Sequence, residues 1–340
     1  MADRWNDLQW QGQQGHYEVY YVTLTDPVSG VGFWIRYTMV APLEETGDAA
    51  TCSLWLMAMD PRDPGANVGE KVSFPAAEMS ARSDPFSLRI DGCELSDTGM
   101  RGSLQRDGRS FAWELSWQPT LPAYGHVHPA LRAARIAKTI LFLPHPDLEI
   151  SGHVDLDGRR VDLDRVRGGQ AHLWGSKHAT RWAWAHCNDF VDATGSHRDA
   201  FVDGVSVFVP RFGREIGPNT PVVAKVGGED VMSIGPLAVQ RNDSEFDLTW
   251  WRFEARRGSR KLVGVVKTRV EDLVGVTYHD PDGELAYCYN TEVADMKLDL
   301  FERASRRGPW QKREELRSEG RAHFEYAQRK PIEGVPIRVE

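Results

Sequence analysis

Apolar and polar positions alternate along most of the chain, in short runs that end on turn residues. This is the pattern of half-buried strands joined by hairpins. Residues 104–117 show it: a run, the pair Asp107-Gly108, then Ser110-Phe111-Ala112-Trp113-Glu114-Leu115-Ser116-Trp117. Five Asp-Gly pairs (Asp91-Gly92, Asp107-Gly108, Asp157-Gly158, Asp203-Gly204, Asp282-Gly283) and Gly227-Gly228 punctuate the sequence. Asp-Gly supplies the positive φ angles of tight hairpins. The same pattern predicts hairpins over residues 222–234, 250–267 (turning at Gly258-Ser259) and 273–293. Helical signals are confined to residues 129–141, which open on proline and are rich in alanine, and residues 308–320. The prediction is an all-β chain of antiparallel barrels or sandwiches, with under about 15% helix.

At 340 residues the chain exceeds a typical single domain. A boundary is expected near residues 192–198, giving units 1–195 and 196–340. Val22-Thr23-Leu24-Thr25-Asp26-Pro27 and Val276-Thr277-Tyr278-His279-Asp280-Pro281 form similar hairpin entries. Such Asp-Pro turns also arise independently.

With 41% apolar and 26% charged residues, the balance is globular and excludes a disordered chain. No window approaches the roughly 18 apolar residues of a membrane helix, and residues 1–7 lack the apolar run of a secretory signal. A cytoplasmic protein without an integral membrane segment is expected. The net charge of −8 repels phosphate backbones, so nucleic acid is not an expected partner. The densest basic stretch, residues 303–321, interleaves Glu314, Glu315 and Glu319 and reads as a solvated helix face. Cys52, Cys93, Cys187 and Cys288 are widely spaced and read as reduced core thiols.

Phosphate-loop, dinucleotide, zinc-protease and nucleophile-elbow motifs are absent. Asp155-Leu156-Asp157-Gly158 has its glycine misplaced for a calcium loop and reads as a hairpin turn. His126 and His128 lack a recognisable third ligand. Neither a metal nor a cofactor is predicted.

The unusual component is aromatic: 12 Trp, 9 Tyr and 13 Phe. It concentrates in Trp174-Gly175-Ser176-Lys177-His178 and Arg181-Trp182-Ala183-Trp184-Ala185-His186-Cys187-Asn188-Asp189-Phe190. In a strand, Trp182, Trp184, His186 and Asn188 share one face, and the opposite face is small. An aliphatic core does not call for two indoles, an imidazole and an amide; a ligand-lining strand does, though an aromatic core with satisfied polar tips has the same pattern. In the opening strands His16, Glu18 and Tyr20 share a face, opposite Tyr17, Val19 and Tyr21, and the next strand places Trp34, Arg36 and Thr38 together. Glu18 and Arg36 could pair across this hairpin, because a buried carboxylate needs a counter-ion, and the sequence leaves that pairing open. Later in the chain Tyr287, Tyr289 and Thr291 share a face near Glu292 and Asp295.

The Trp-x-Trp-x-x-Cys-Asn run (Trp182, Trp184, Cys187, Asn188), preceded by Trp174-Gly175 and His178, resembles the signature of the carotenoid 1,2-hydratase (hydroxyneurosporene synthase) family. Tocopherol cyclases carry a similar strand. The hairpin Glu18-x-Tyr20-Tyr21 with Gly32-Phe33-Trp34-Ile35-Arg36-Tyr37, and the tail Ala322-His323-Phe324-Glu325-Tyr326-Ala327, add to the resemblance. It implies two tandem lipocalin-like β-barrels with a ligand site in or between them. It also implies hydration or cyclisation of isoprenoid alkenes or, in related fungal proteins, Diels–Alder closure of polyenes.

The expected function is therefore a cofactor-free cyclase, hydratase or isomerase for a lipophilic unsaturated small molecule, isoprenoid or polyketide. The alternatives are a lipocalin-like carrier of a hydrophobic ligand, or a structural protein with a filled core. Glu18, His186 and Tyr20 are the expected catalytic groups; Trp182, Trp184, Asn188, Trp34, Arg36 and Trp174 are expected to bind substrate. Protonating an alkene needs an acid stronger than imidazolium, which a carboxyl held neutral by burial supplies. If Arg36 instead holds Glu18 ionised, His186 or Tyr20 must polarise a substrate carbonyl. Asp189 points away from the Trp stripe and is the weaker acid candidate. The sequence fixes no oligomeric state.

Overall fold

A computed structural model describes residues 5–133, 137–211, 213–305 and 307–340. The chain is 64% strand and 7% helix, within the helix limit expected from the alternation. Its first sheet contains β1 (His16–Thr25), β2 (Gly32–Ala41), β3 (Thr51–Met59), β4 (Val68–Pro75), β5 (Met79–Ser83), β6 (Phe86–Ile90), β7 (Cys93–Ser96), β8 (Gly99–Arg106), β9 (Arg109–Pro119), β10 (Tyr124–Gly125), β11 (Thr139–Leu156) and β12 (Arg159–Gly175). The strand order is β4-β3-β2-β1-β12-β11-β9-β8-β7-β6-β5, with β10 on β11.

The second sheet contains β13 (Arg181–Cys187), β14 (Phe190–Val191), β15 (His197–Arg198), β16 (Phe201–Arg211), β17 (Arg214–Asn219), β18 (Val222–Val226), β19 (Glu229–Ser233), β20 (Asp243–Asp247), β21 (Trp250–Arg257), β22 (Arg260–Lys267), β23 (Val274–His279), β24 (Leu285–Glu302), β25 (Gln311–Gln328) and β26 (Ile337–Val339). Its spine runs β19-β18-β16-β13-β25-β24-β22-β21-β20. The chain leaves the first sheet at Gly175 and enters the second at Arg181, and residues 181–187 form strand ladders with β16 and β25 of the second sheet.

The hairpins expected at residues 104–117, 222–234, 250–267 and 273–293 are all present. Asp91, Asp107 and Asp157 adopt positive φ with the glycines that follow them, as their turns require. Asp203-Gly204 is different: it lies inside β16. Of the two expected helices, one shrinks and one is absent. A short helix, α1, spans Pro129–Ala133, and Thr139 already begins β11; residues 134–136 of that expected helix lie outside the described ones. Residues 308–320 largely form β25, which pairs with β24 along nearly its whole length. Their interleaved charges bond across strands, Lys297 to Glu315, Lys312 to Asp299 and Arg198 to Glu314. Long-range pairing here overrides local helix propensity.

Three apolar layers result. Tyr20, Val22, Phe33, Ile35, Trp113 and their neighbours fill the first sheet, and one of the two sheets is nearly barrel-shaped. Ala183, Ala185, Trp251, Phe253 and Tyr289 fill the second. Tyr17, Val19, Tyr21, Trp34, Trp55, Trp182, Trp184 and Tyr278 form the layer between the sheets. The four cysteines are buried and unpaired with one another. Among the described residues no helix is long and apolar enough to cross a membrane.

Candidate functional site

Strand parity divides the expected site residues between the two faces of the first sheet. In the β1–β2 register Glu18 lies opposite Met39, and Arg36 lies opposite Tyr21. Glu18 and Arg36 therefore project from opposite faces, and the ion pair that the sequence left open does not form. The pairing Glu18↔Trp174 and Tyr20↔His172 puts Trp174 on Glu18's face as well.

On that face Glu18 is fully buried and fully engaged. Its Oε1 accepts from the Gln9 N–H (2.8 Å), the Tyr20 hydroxyl (2.9 Å) and His172 Nε2 (2.8 Å). Its Oε2 accepts from the Trp10 N–H and His16 Nε2, both at 2.9 Å. His172 also gives its Nδ1 to the Trp5 carbonyl at 2.7 Å, so both ring nitrogens face acceptors. Burial pushes the Glu18 carboxyl up, but the bonds from His16 and His172, the His172 charge and the Gln9 N–H outweigh it and hold it at about 2. Glu18 is thus an ionised anchor for residues 5–13, whose Leu8 and Trp10 pack onto the first core. Tyr20 stacks on His172 at 4.0 Å and burial drives its hydroxyl well above its ordinary value. Trp174 packs on His172 and Phe142.

The other set meets in the seam between the sheets. Trp182, Trp184, His186 and Asn188 are at most 6% exposed, and they face the first hairpin's outer side. Tyr21 lies edge-on to both Trp34 (5.8 Å) and Trp184 (5.7 Å). The register aligns three rows on the second sheet: Trp182 with Ala327 and Cys288, Trp184 with Glu325 and Asn290, and His186 with His323. Trp184 Nε1 donates to both oxygens of Asp203 (3.1 and 3.2 Å), which also takes His126 Nε2 at 2.9 Å. Trp182 Nε1 and the Tyr278 hydroxyl donate to Glu325. Asn188 Nδ2 bridges the sheets, donating to Asp147 Oδ1 and the Gly168 carbonyl, both at 2.7 Å.

One end of the seam is polar. Glu292, 1% exposed, bonds the Thr23 hydroxyl through Oε2, and its Oε1 has no partner. Burial drives its carboxyl well above the usual carboxylate range, against the Thr23 bond and with a contribution from Glu325. His323 Nδ1 is 3.8 Å from Glu292 Oε2 and 3.0 Å from His186 Nδ1; His186 Nε2 donates to the Pro146 carbonyl at 2.8 Å. Burial, with His186 alongside, holds His323 well below its ordinary value and so neutral. Two glycines permit this insertion. A Cβ on Gly32 would lie 2.5 Å from Glu292 Cβ, and one on Gly169 would lie 2.9 Å from the His186 ring. At the other end the Arg36 guanidinium lies 4.2, 4.9 and 4.7 Å over the rings of Trp34, Trp55 and Tyr278.

The tocopherol cyclase-like family model matches residues 14–317, which carry both the hairpin and the Trp strand. The chain belongs to this family. An uncharacterized protein of Mycobacterium tuberculosis is 29% identical over 306 residues, covering 86% of this chain and 83% of its own. The fold is shared with the crystal structure of CghA with Sch210972 (TM-score 0.58, 11% identity, 92% of this chain and 88% of that one). It is also shared with a putative ATTH from Nitrosomonas europaea (0.55, 14%, 93% and 93%). Kievitone hydratase from Nectria haematococca matches at 0.50, with 10% identity over 93% of this chain and 89% of that one.

Of the residues in the seam, the sequence assigned a site role to Trp34, Arg36, Trp182, Trp184, His186 and Asn188 and none to Tyr21, Asp203, Tyr278, Glu292, His323 and Glu325. A signal for the last two exists in β25. His323 and Glu325 alternate with Phe324 and Tyr326 in a strand whose other face is core. Tyr287 and Tyr289, which share a strand face as expected, pack toward the second sheet's own core. Two surface concavities, of about 560 and 360 Å³, lie away from the seam and are lined largely by polar and charged side chains such as Glu94, Arg101, Arg160 and Arg198.

Proposed function

We propose that the protein is a cofactor-free cyclase, hydratase or isomerase for a lipophilic unsaturated small molecule, acting in the seam between the sheets with Glu292 as the acid. The observation that carries this reading is Glu292 itself: a buried carboxyl favoured in its protonated form, one oxygen without a partner, at the end of an aromatic-walled layer. In the acid step the Glu292 proton adds to an alkene carbon, using the π pair to form the new C–H bond. The cation left on the neighbouring carbon lies against the ring faces of Trp34, Tyr21 and Trp184, each worth roughly 0.5–2 kcal/mol. Water or a second alkene of the same molecule then attacks, and the proton released returns to the Glu292 carboxylate. Burial excludes competing water from the cation, so a ligand enters when the aromatic side chains of the seam part.

Glu18 and Tyr20 have no part in this reading. A carboxylate held at about 2 is no acid at neutral pH, and both face away from the seam. The hydratase name of one fold neighbour and the small molecule bound to another support chemistry on small molecules in this fold. A carrier has no use for a protonated carboxyl in an apolar seam. The test is single-turnover conversion, in deuterated water, of the lipophile that co-purifies with the protein. Wild-type protein is expected to introduce one deuterium, and Glu292→Gln to slow this by about 10²–10⁴. A folded Glu292→Gln variant that turns over at the wild-type rate removes the acid, and binding without any turnover returns the protein to the carrier reading.

A further inference from the structure

We propose that Arg36 and Trp34 form an oxyanion site at the far end of the seam from Glu292. It takes the ionised acidic head group, a carboxylate or enolate, of the lipophilic substrate. This rests on the seam being the substrate site and adds the substrate's class: an unsaturated apolar body ending in an acid.

Arg36 is 4% exposed, yet no carboxylate lies within 4.0 Å of it among the described residues. Its Nε and Nη1 have no hydrogen-bond partner, and neither has the indole Nε1 of Trp34, two residues away on the same face of β2. Three buried donors on two side chains stacked 4.2 Å apart therefore lack an acceptor, where buried polar groups are almost always satisfied. The neighbouring acids are all committed elsewhere. Glu325 is held by Trp182 and Tyr278, Asp203 by Trp184 and His126, and Asp280 by His178 and Arg329. Glu18 is on the opposite face of the sheet.

The aromatic rings around Arg36 attract its charge but accept none of its N–H groups in the plane of the fork. A second cation reinforces the field. Lys71, opposite Trp55 on β4, lies 4.7 Å over that indole, and burial together with Arg36 and Arg106 lowers its ammonium to about 8. Lys71 already donates to the Glu340 oxygen at 3.1 Å, so the charge left for an anion is that of Arg36. Gly32, beneath Glu292, and Arg36 are four residues apart on one strand face, which at ~3.3 Å per residue sets head group and acid about 13 Å apart. That span fits an extended polyene whose reacting carbons lie well away from its acidic end.

The probe is cis-parinaric acid, a fluorescent conjugated tetraene carboxylate, titrated into the full-length protein at pH 7.5 against its methyl ester. Wild-type protein is expected to bind the acid at least tenfold more tightly. Arg36→Met is expected to erase that preference while changing ester affinity less than about threefold. Arg36→Lys and Trp34→Phe, which keep the charge or the ring, are each expected to lower it severalfold. Equal binding of acid and ester by the wild type overturns the proposal, as does a preference that survives Arg36→Met, or survives both milder variants if Arg36→Met does not fold. Absence of saturable binding of either lipid overturns it together with the seam as a lipid site. Glu292→Gln is expected to keep the preference. If it does, and its turnover is also wild-type, the acid step fails while the oxyanion site stands.

Discussion

Raising the pH should destabilise the folded protein through Glu292, and Glu292→Gln should abolish that loss. The carboxyl packs against Gly32, bonds Thr23 and leaves Oε1 unpartnered, so the fold favours the neutral acid. The unfolded chain releases this proton near the ordinary value of 4.5, whereas the folded chain keeps it to a well-raised value. Over that interval the unfolded state binds fewer protons, and stability falls with rising pH by about 1.4 kcal/mol per unit. His323 acts in the opposite sense below 6.5, because the fold holds it neutral and loses stability as the pH falls. The two contributions therefore oppose each other between pH 4.5 and 6.5, and Glu292 acts without that opposition above it. From pH 6.5 to 8.5 the loss reaches up to about 2.7 kcal/mol, or up to about 4 °C in Tm for a chain of this size. Urea and thermal melts of wild-type and Glu292→Gln protein across pH 5–9 measure it. Subtracting the variant removes what other titrating groups contribute, Lys71 among them. Gln retains the shape of the neutral acid and His323 is common to both proteins, so the two should be closest at the acid end of the range and diverge steadily as the pH rises from there, with the variant the more stable. Parallel stability curves would show that Glu292 ionises freely in the fold and would refute the acid assignment.

Glu18→Ala should cost about 3–5 kcal/mol, since it strands His16, His172, the Tyr20 hydroxyl and two backbone N–H groups, and limited proteolysis should then cut within residues 5–13 sooner than in the wild type. Because Glu18 is held at about 2, its contribution is present above its ordinary value and is lost as the pH falls through about 2, which an acid-denaturation series of the wild type records. Gly32→Ala should destabilise by about 1–3 kcal/mol, because the added methyl meets the Glu292 Cβ and backbone and must push the sheets apart; urea midpoints would show it, and an unchanged midpoint would mean that the seam is looser than described. Arg36→Met should stabilise the ligand-free protein by roughly 1–4 kcal/mol, since it removes a buried charge without a counter-ion; a loss of stability would mean that the guanidinium is satisfied within the fold.

The strands and hairpins were legible because they depend on local chemistry: period-two alternation, and Asp-Gly pairs able to adopt positive φ. The same parity correctly grouped Trp182, Trp184, His186 and Asn188 on one face. It already separated Glu18 from Arg36 in principle, since antiparallel partners share a face and the offset between the two is set by the turn. The turn length from Asp26 to Val31 decides that Arg36 opposes Tyr21, and without that register a pairing of the two residues stayed open. The stretch around Glu314 was misread because alternating opposite charges suit a helix face and a strand's solvent face alike. Only the presence of β24 alongside chooses between them.

What the sequence by itself determined is therefore the class of fold and the composition of each strand face, because both are set within a few residues of chain. Which faces meet was decided by the tertiary structure. Glu292 reads as an ordinary acid near a strand of tyrosines until Gly32, Thr23 and His323, between 31 and 269 residues away, close around it. Its protonation follows from that enclosure, as does the lack of a partner for Arg36. Charge state is a property of the surroundings and the dielectric they create, and these surroundings come into existence only when the two sheets dock.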